Sequence, residues 1–145
     1  MDGDLPDPAH RTPDDVSTAT VDALGALSAA LESVERARGH LYAFHQLTGK
    51  ADLELGDAVD QLRAAGHAEL ADRLETDLVG RNVLAGRWTF QVVEEYDDGY
   101  WSVFREHERA VRDELAGGVR HLFEARMKQE RRTAGRPGHE AVPDE

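Results

Sequence analysis

The candidate chemistry of this chain lies in ionisable side chains set among apolar ones. Arg38 and His45 stand seven residues apart in the stripe that carries Leu24, Leu31 and Tyr42. Glu94, Asp97 and Glu108 fall in a second stripe with Phe90, Trp101 and Phe104. An ionised group in an apolar setting is costly unless it is paired or binds a metal. Two chemistries meet that condition. One is a buried ion network of Arg38, His45, Glu94, Asp97 and Glu108, with Arg38 meeting Glu94 or Asp97 and His45 donating to a carboxylate. The other is a metal centre on His45, Glu94 and Asp97, with Asp98 and Glu35 as further oxygens and a divalent transition metal as cofactor.

Carboxylate-rich, ferritin-like bundles do hold metals between facing helices. They carry Glu-x-x-His twice, and this sequence contains no Glu-x-x-His. The network is therefore the first expectation and a redox-active metal bundle the alternative. No residue is assigned a catalytic role. Gly49-Lys50 lacks the upstream glycine and following hydroxyl of a phosphate loop. Neither Gly-x-Ser-x-Gly nor His-Glu-x-x-His occurs, and none of the four serines has a nucleophile's setting.

Aromatic residues give the second clue. Six of the nine lie between positions 88 and 104. Trp88 and Tyr96, with Leu84, Val92 and Val103, fall behind the stripe that carries Trp101, and His40, Phe44 and Leu47 fall opposite His45. A helix apolar on both sides is covered on both sides. A chain this short points to a subunit interface, with an aromatic ligand pocket as the sharper alternative, drawn from His40, Phe44, Trp88, Tyr96, Tyr100 and Trp101.

The elements that position these residues read as helices. All five prolines lie at or before Pro13 or at and beyond Pro137, so the interior is free of a helix breaker. Thr12-Pro13-Asp14-Asp15 reads as a helix start, and Leu47-Thr48-Gly49 as its stop. Short helices follow over 51–65 and 67–79, then a long last helix. The expected fold is thus all-α, a small bundle with long first and last helices and two short ones between. At 88–104 the alternative is one hairpin turning at Asp98-Gly99, which would make the class α+β. The helical domain is expected over 13–131, between disordered tails at 1–12 and 132–145, which are poor in large apolar groups.

Composition narrows the rest. The formal charge of −12 argues against nucleic acid as a partner. No apolar run approaches the roughly 20 residues of a membrane span, and the acidic start does not read as a signal peptide, so a cytoplasmic location is expected. The absence of cysteine removes disulfides and thiolate metal sites. The functional expectation is a homo-oligomeric, non-catalytic helical module that binds an unidentified protein partner or packs into an assembly.

Overall fold

A computed structural model describes residues 4–142, and the fold is all-α, a small helical bundle with no strand among the described residues. Its α-helices are α1 (Thr18–Ala64), α2 (Ala68–Asp77), α3 (Thr89–Tyr96), α4 (Ser102–Ala116) and α5 (Leu122–Arg131). A 3-10 turn, Pro8–His10, precedes them, and a π-helical segment, Asp97–Trp101, joins α3 to α4. Among the described residues no helix is long and apolar enough to cross a membrane.

The helix divisions differ from the sequence expectation for physical reasons. The first helix is capped by Ser17, whose hydroxyl accepts the Thr20 N–H at 3.1 Å. Thr12 instead precedes a turn, centred on Asp14 and Asp15, that closes when the Val16 N–H reaches the Pro13 carbonyl at 3.0 Å. The expected stop at Gly49 does not occur, so the helix expected over 51–65 is the end of α1. One mid-helix glycine costs only about 1 kcal/mol relative to alanine. Against it stand strong helix formers after position 49, a Lys50–Glu54 pair at 3.0 Å, and an inward face that keeps phase through the glycine. The helix ends at Gly66 instead, where His67 N–H bonds the Leu62 carbonyl at 2.9 Å and Gly66 N–H that of Arg63 at 3.1 Å.

The hairpin alternative at 88–104 is not supported. Asp98 and Gly99 sit inside the π-helical segment, so their backbone continues a helix rather than reversing. An isolated hairpin would also have no neighbouring strand to pair with.

The chain forms two compact units, one made of the described residues up to Val34 together with those from Val103 on, the other of Glu35–Ser102. In the first, Val21, Ala116 and Leu122 are buried together, with Val16, Leu24 and Val119 packed against them. The last helix is cut at Gly117 and Gly118, which take φ of +59° and +82°. Such values suit glycine, so the chain turns there before α5. Asp22 pairs with Arg126, whose guanidinium lies 5.3 Å from the Phe123 ring centre. Of the stretches expected as tails, residues 1–3 and 143–145 lie outside the described residues. Elsewhere in them, Arg132 donates to the Asp4 carbonyl and carboxylate, each at 2.7 Å.

In the second unit Arg63 joins the end of α1 to α2, donating to Asp72 at 2.5 Å and Glu75 at 2.6 Å. Its buried side chains are few and small: Val59, Ala71, Thr89 and Val93.

Gly25 is the tightest approach in the first unit. A Cβ there would stand 2.6–2.7 Å from three Phe123 atoms, the ring's attachment carbon among them. Gly25→Ala should therefore destabilise the protein by about 1–3 kcal/mol through overpacking, read as a lower urea midpoint. Adding Phe123→Ala should recover part of that loss, and no recovery would place the cost elsewhere.

Candidate functional site

The second unit is organised by one face of α1. Arg38, Leu41, His45, Thr48, Asp52, Leu55, Val59 and Leu62 are among its less exposed positions, spaced alternately by three and four residues. This is the seam spacing of packed helices. It carries a polar group every seventh residue, at Arg38, His45 and Asp52. Each has a partner on the segment that returns along α1.

Arg38 makes a two-pronged contact with Asp97, Nε to Oδ1 at 2.7 Å and the second nitrogen to Oδ2 at 3.1 Å. His45 Nδ1 and the Thr89 hydroxyl are 2.6 Å apart, and Thr89 is buried. The Gly80 N–H donates to Asp52 at 2.8 Å. At the near end of the ladder the Trp101 indole N–H donates to Glu35 at 2.9 Å. The separations along the chain fall steadily from 66 to 59, 44 and 28 residues. That decrease is the signature of an antiparallel return in fixed register.

Around Arg38 the ladder thickens. The guanidinium lies 4.0 Å from the Trp101 ring centre and 5.0 Å from that of Tyr42, a cation held over aromatic faces. Asp97 and Trp101 lie four residues apart and so share one face of the turn; the π-helical segment that holds them adds a residue and shifts α3 around relative to them. The Ser102 hydroxyl donates to the Asp97 carbonyl within the same turn. Hydrogen bonding from Arg38 holds the Asp97 carboxyl below its ordinary range, outweighing partial desolvation, which pushes the other way, and the nearby positive charge adds to it. Arg38 is correspondingly raised by its bond to Asp97.

The sequence-derived residues distribute as follows. Arg38 and Asp97 meet; His45 meets Thr89, a hydroxyl rather than a carboxylate. Glu94 is exposed. Glu108 belongs to the first unit, where its carboxylate lies 3.4 Å from Arg112. The offset of Glu94 has a definite cause. Counting back from Phe104 and Trp101 at helical period reaches Glu94 and Phe90, but the π turn holds one extra residue. The inward positions of α3 are therefore Val93 and Thr89, one residue earlier. His40, Phe44, Trp88 and Tyr100 are exposed, Tyr96 is half-buried, and Trp101 is engaged by Arg38 and Glu35. Among the described residues no group of three or more His, Asp or Glu is placed to hold a metal ion. Thr89 and Asp52 were missed from sequence; a seven-residue step from Arg38 and His45 leads straight to Asp52.

Compared with known proteins, the chain matches no family model, no curated protein and no solved structure.

Arg38–Asp97 makes the second unit acid-sensitive in a definite direction. A carboxyl whose folded pKa lies below its unfolded value, near about 3.9, adds stability above that value and loses it as pH falls through the folded pKa. Thermal melts followed by tryptophan fluorescence should therefore steepen in pH dependence between about pH 5 and 2. Asp97→Asn should flatten that slope; an unchanged slope would remove the pair as its source.

Proposed function

We propose that this protein is a non-catalytic assembly module that pairs with a second copy of itself through the outer face of α1 and the start of α3. The observation that carries this reading is the exposure of large apolar side chains in a unit whose buried ones are small. Phe44 is 44% exposed, Leu47 64%, and Trp88 and Phe90 47% each. Ala37, His40, Phe44, Leu47 and Ala51 are all exposed and repeat at alternating steps of three and four. A helix seam of that spacing fits the same seam on another helix, in a self-complementary two-fold pairing. The His45–Thr89 bond sets the start of α3 beside α1, and Trp88 and Phe90 are the exposed neighbours of Thr89 in the chain.

The area involved is relevant. Three aromatic side chains exposed to about half of the 150–250 Å² such groups bury, with Leu47, offer on the order of 400 Å². That is half of the roughly 800 Å² each partner contributes to a standard interface, and polar rim supplies the remainder. Apolar surface of this order falls in the roughly 300–600 Å² range of a monomer's largest patch, which is often functional. Such an interface strengthens with salt, which screens the −12 charge that each copy presents to the other.

Light scattering on the eluting protein should give a whole-number multiple of 16.0 kDa, rising or constant as salt is added. Phe44→Glu with Leu47→Glu should reduce the mass to that of one chain while helical circular dichroism is retained. A wild-type mass of one chain at micromolar concentration would refute self-assembly. Dissociation by salt would point instead to ion pairing between copies.

A further inference from the structure

Two histidines far apart in the chain meet at a cleft in the first unit. The rings of His10 and His121 stand 6.0 Å apart between centres, tilted by 47°. The cleft has a volume of about 310 Å³, and Asp7, Glu124, Lys128 and Gln129 complete its polar lining. His10 Nδ1 lies 3.9 Å from the Asp7 carboxylate, and His121 Nδ1 lies 3.9 Å from that of Glu124. These distances exceed a direct hydrogen bond but let each carboxylate favour a cation-bound imidazole. A metal-binding histidine ordinarily donates its other ring N–H to a carboxylate; here Asp7 and Glu124 stand beyond that reach and contribute negative charge beside the Nδ1 side of each ring. Asp7 is itself fixed, its other oxygen accepting the Ala9 N–H at 2.9 Å.

The backbone at His121 adds an independent observation. It has φ of +59° and ψ of 34°, and among the described residues no other non-glycine residue has positive φ. That conformation costs a side-chain-bearing residue about 1–2 kcal/mol. Strain kept at a residue lining a cleft points to a use for its side chain.

We infer that His10 and His121 form a two-histidine site for a divalent transition-metal ion such as zinc. An ion about 2.0–2.1 Å from one nitrogen of each ring sets the ring centres roughly 5–6.5 Å apart, depending on the angle at the metal. At the tetrahedral angle that zinc prefers the ring centres would stand about 5.2 Å apart, so the rings close by somewhat less than 1 Å from the observed 6.0 Å when the ion binds. Imidazole suits zinc, nickel and copper rather than magnesium or calcium. Two carboxylates against one lysine leave the lining net negative, which favours a cation. Two protein nitrogens make an open site, with water completing the coordination, and the ion would tie the turn at Pro8–His10 to the start of α5.

The test is titration of untagged, full-length protein with zinc chloride, by calorimetry and by NMR of the histidine rings. One zinc per chain should bind saturably, shift the rings of His10 and His121, and raise the melting temperature. His10→Ala should weaken binding at least tenfold. His121→Gly should do the same while relieving the positive φ, so that the metal-free protein melts no lower than wild type. No saturable binding, affinity unchanged in both variants, or shifts confined to other histidines would overturn the site.

Discussion

A charged or polar group placed in a helix seam must find a partner, and in this protein that requirement recurs every seventh residue of α1. Arg38, His45 and Asp52 are spaced so that each rung lies about 10.5 Å from the next along the helix. Apolar seams tolerate sliding, because one leucine packs against another in several registers. A two-pronged arginine–carboxylate contact, a histidine–hydroxyl bond and a carboxylate that accepts one backbone N–H do not. Displacing the return by a turn would leave all three donor–acceptor sets unmatched; the cost is largest at buried Thr89, roughly 1–3 kcal/mol if left unsatisfied, and smaller at the part-buried Arg38–Asp97 pair and the exposed Asp52–Gly80 bond. The polar residues are thus a registration device, the role best attested for such groups in helical seams.

Much else follows from that requirement. The return must present Thr89 and Asp97 on one face, eight residues apart, and then Trp101 four further on. A regular α-helix drifts off that face, and the π-helical segment takes up the difference. Seam positions given to polar groups are also lost to apolar packing, so the buried side chains of the second unit are small. The larger ones, Phe44, Leu47, Trp88 and Phe90, remain outside. The specificity device inside the unit and the apolar surface outside it are two consequences of one allocation of side chains.

The helical class, the stripe on α1 and the pairing of Arg38 with Asp97 could be read from periodicity and the cost of burying charge, whereas His45, expected on a carboxylate, meets Thr89. Two features could not. Gly49 reads locally as a stop, and once the helix is broken there, Asp52 no longer belongs to the series begun by Arg38 and His45. Its helical state is set by interactions summed over the whole of α1, which outweigh one residue's preference. The π turn is equally invisible to a fixed 3.6-residue count, so Glu94 and Phe90 are read onto the inward face with Val93, and Thr89 is passed over. The residual trace is the run of four-residue steps at Thr89, Val93, Asp97 and Trp101. The positive φ of His121 left no trace in the sequence either, since histidine is not a residue that ordinarily marks such a conformation.

The most direct test of registration is a distance measurement between spin labels on cysteines introduced at Gln46 and Glu94, both exposed, in a chain without native cysteine. The parent should give one narrow distance distribution. Replacing Arg38, His45, Asp52 and Asp97 together with leucine should preserve helix content yet broaden or split that distribution, because the apolar seam then allows several registers. An equally narrow distribution at the same distance in the leucine variant would show that the apolar packing sets the register by itself, and would contradict the role assigned to the polar ladder.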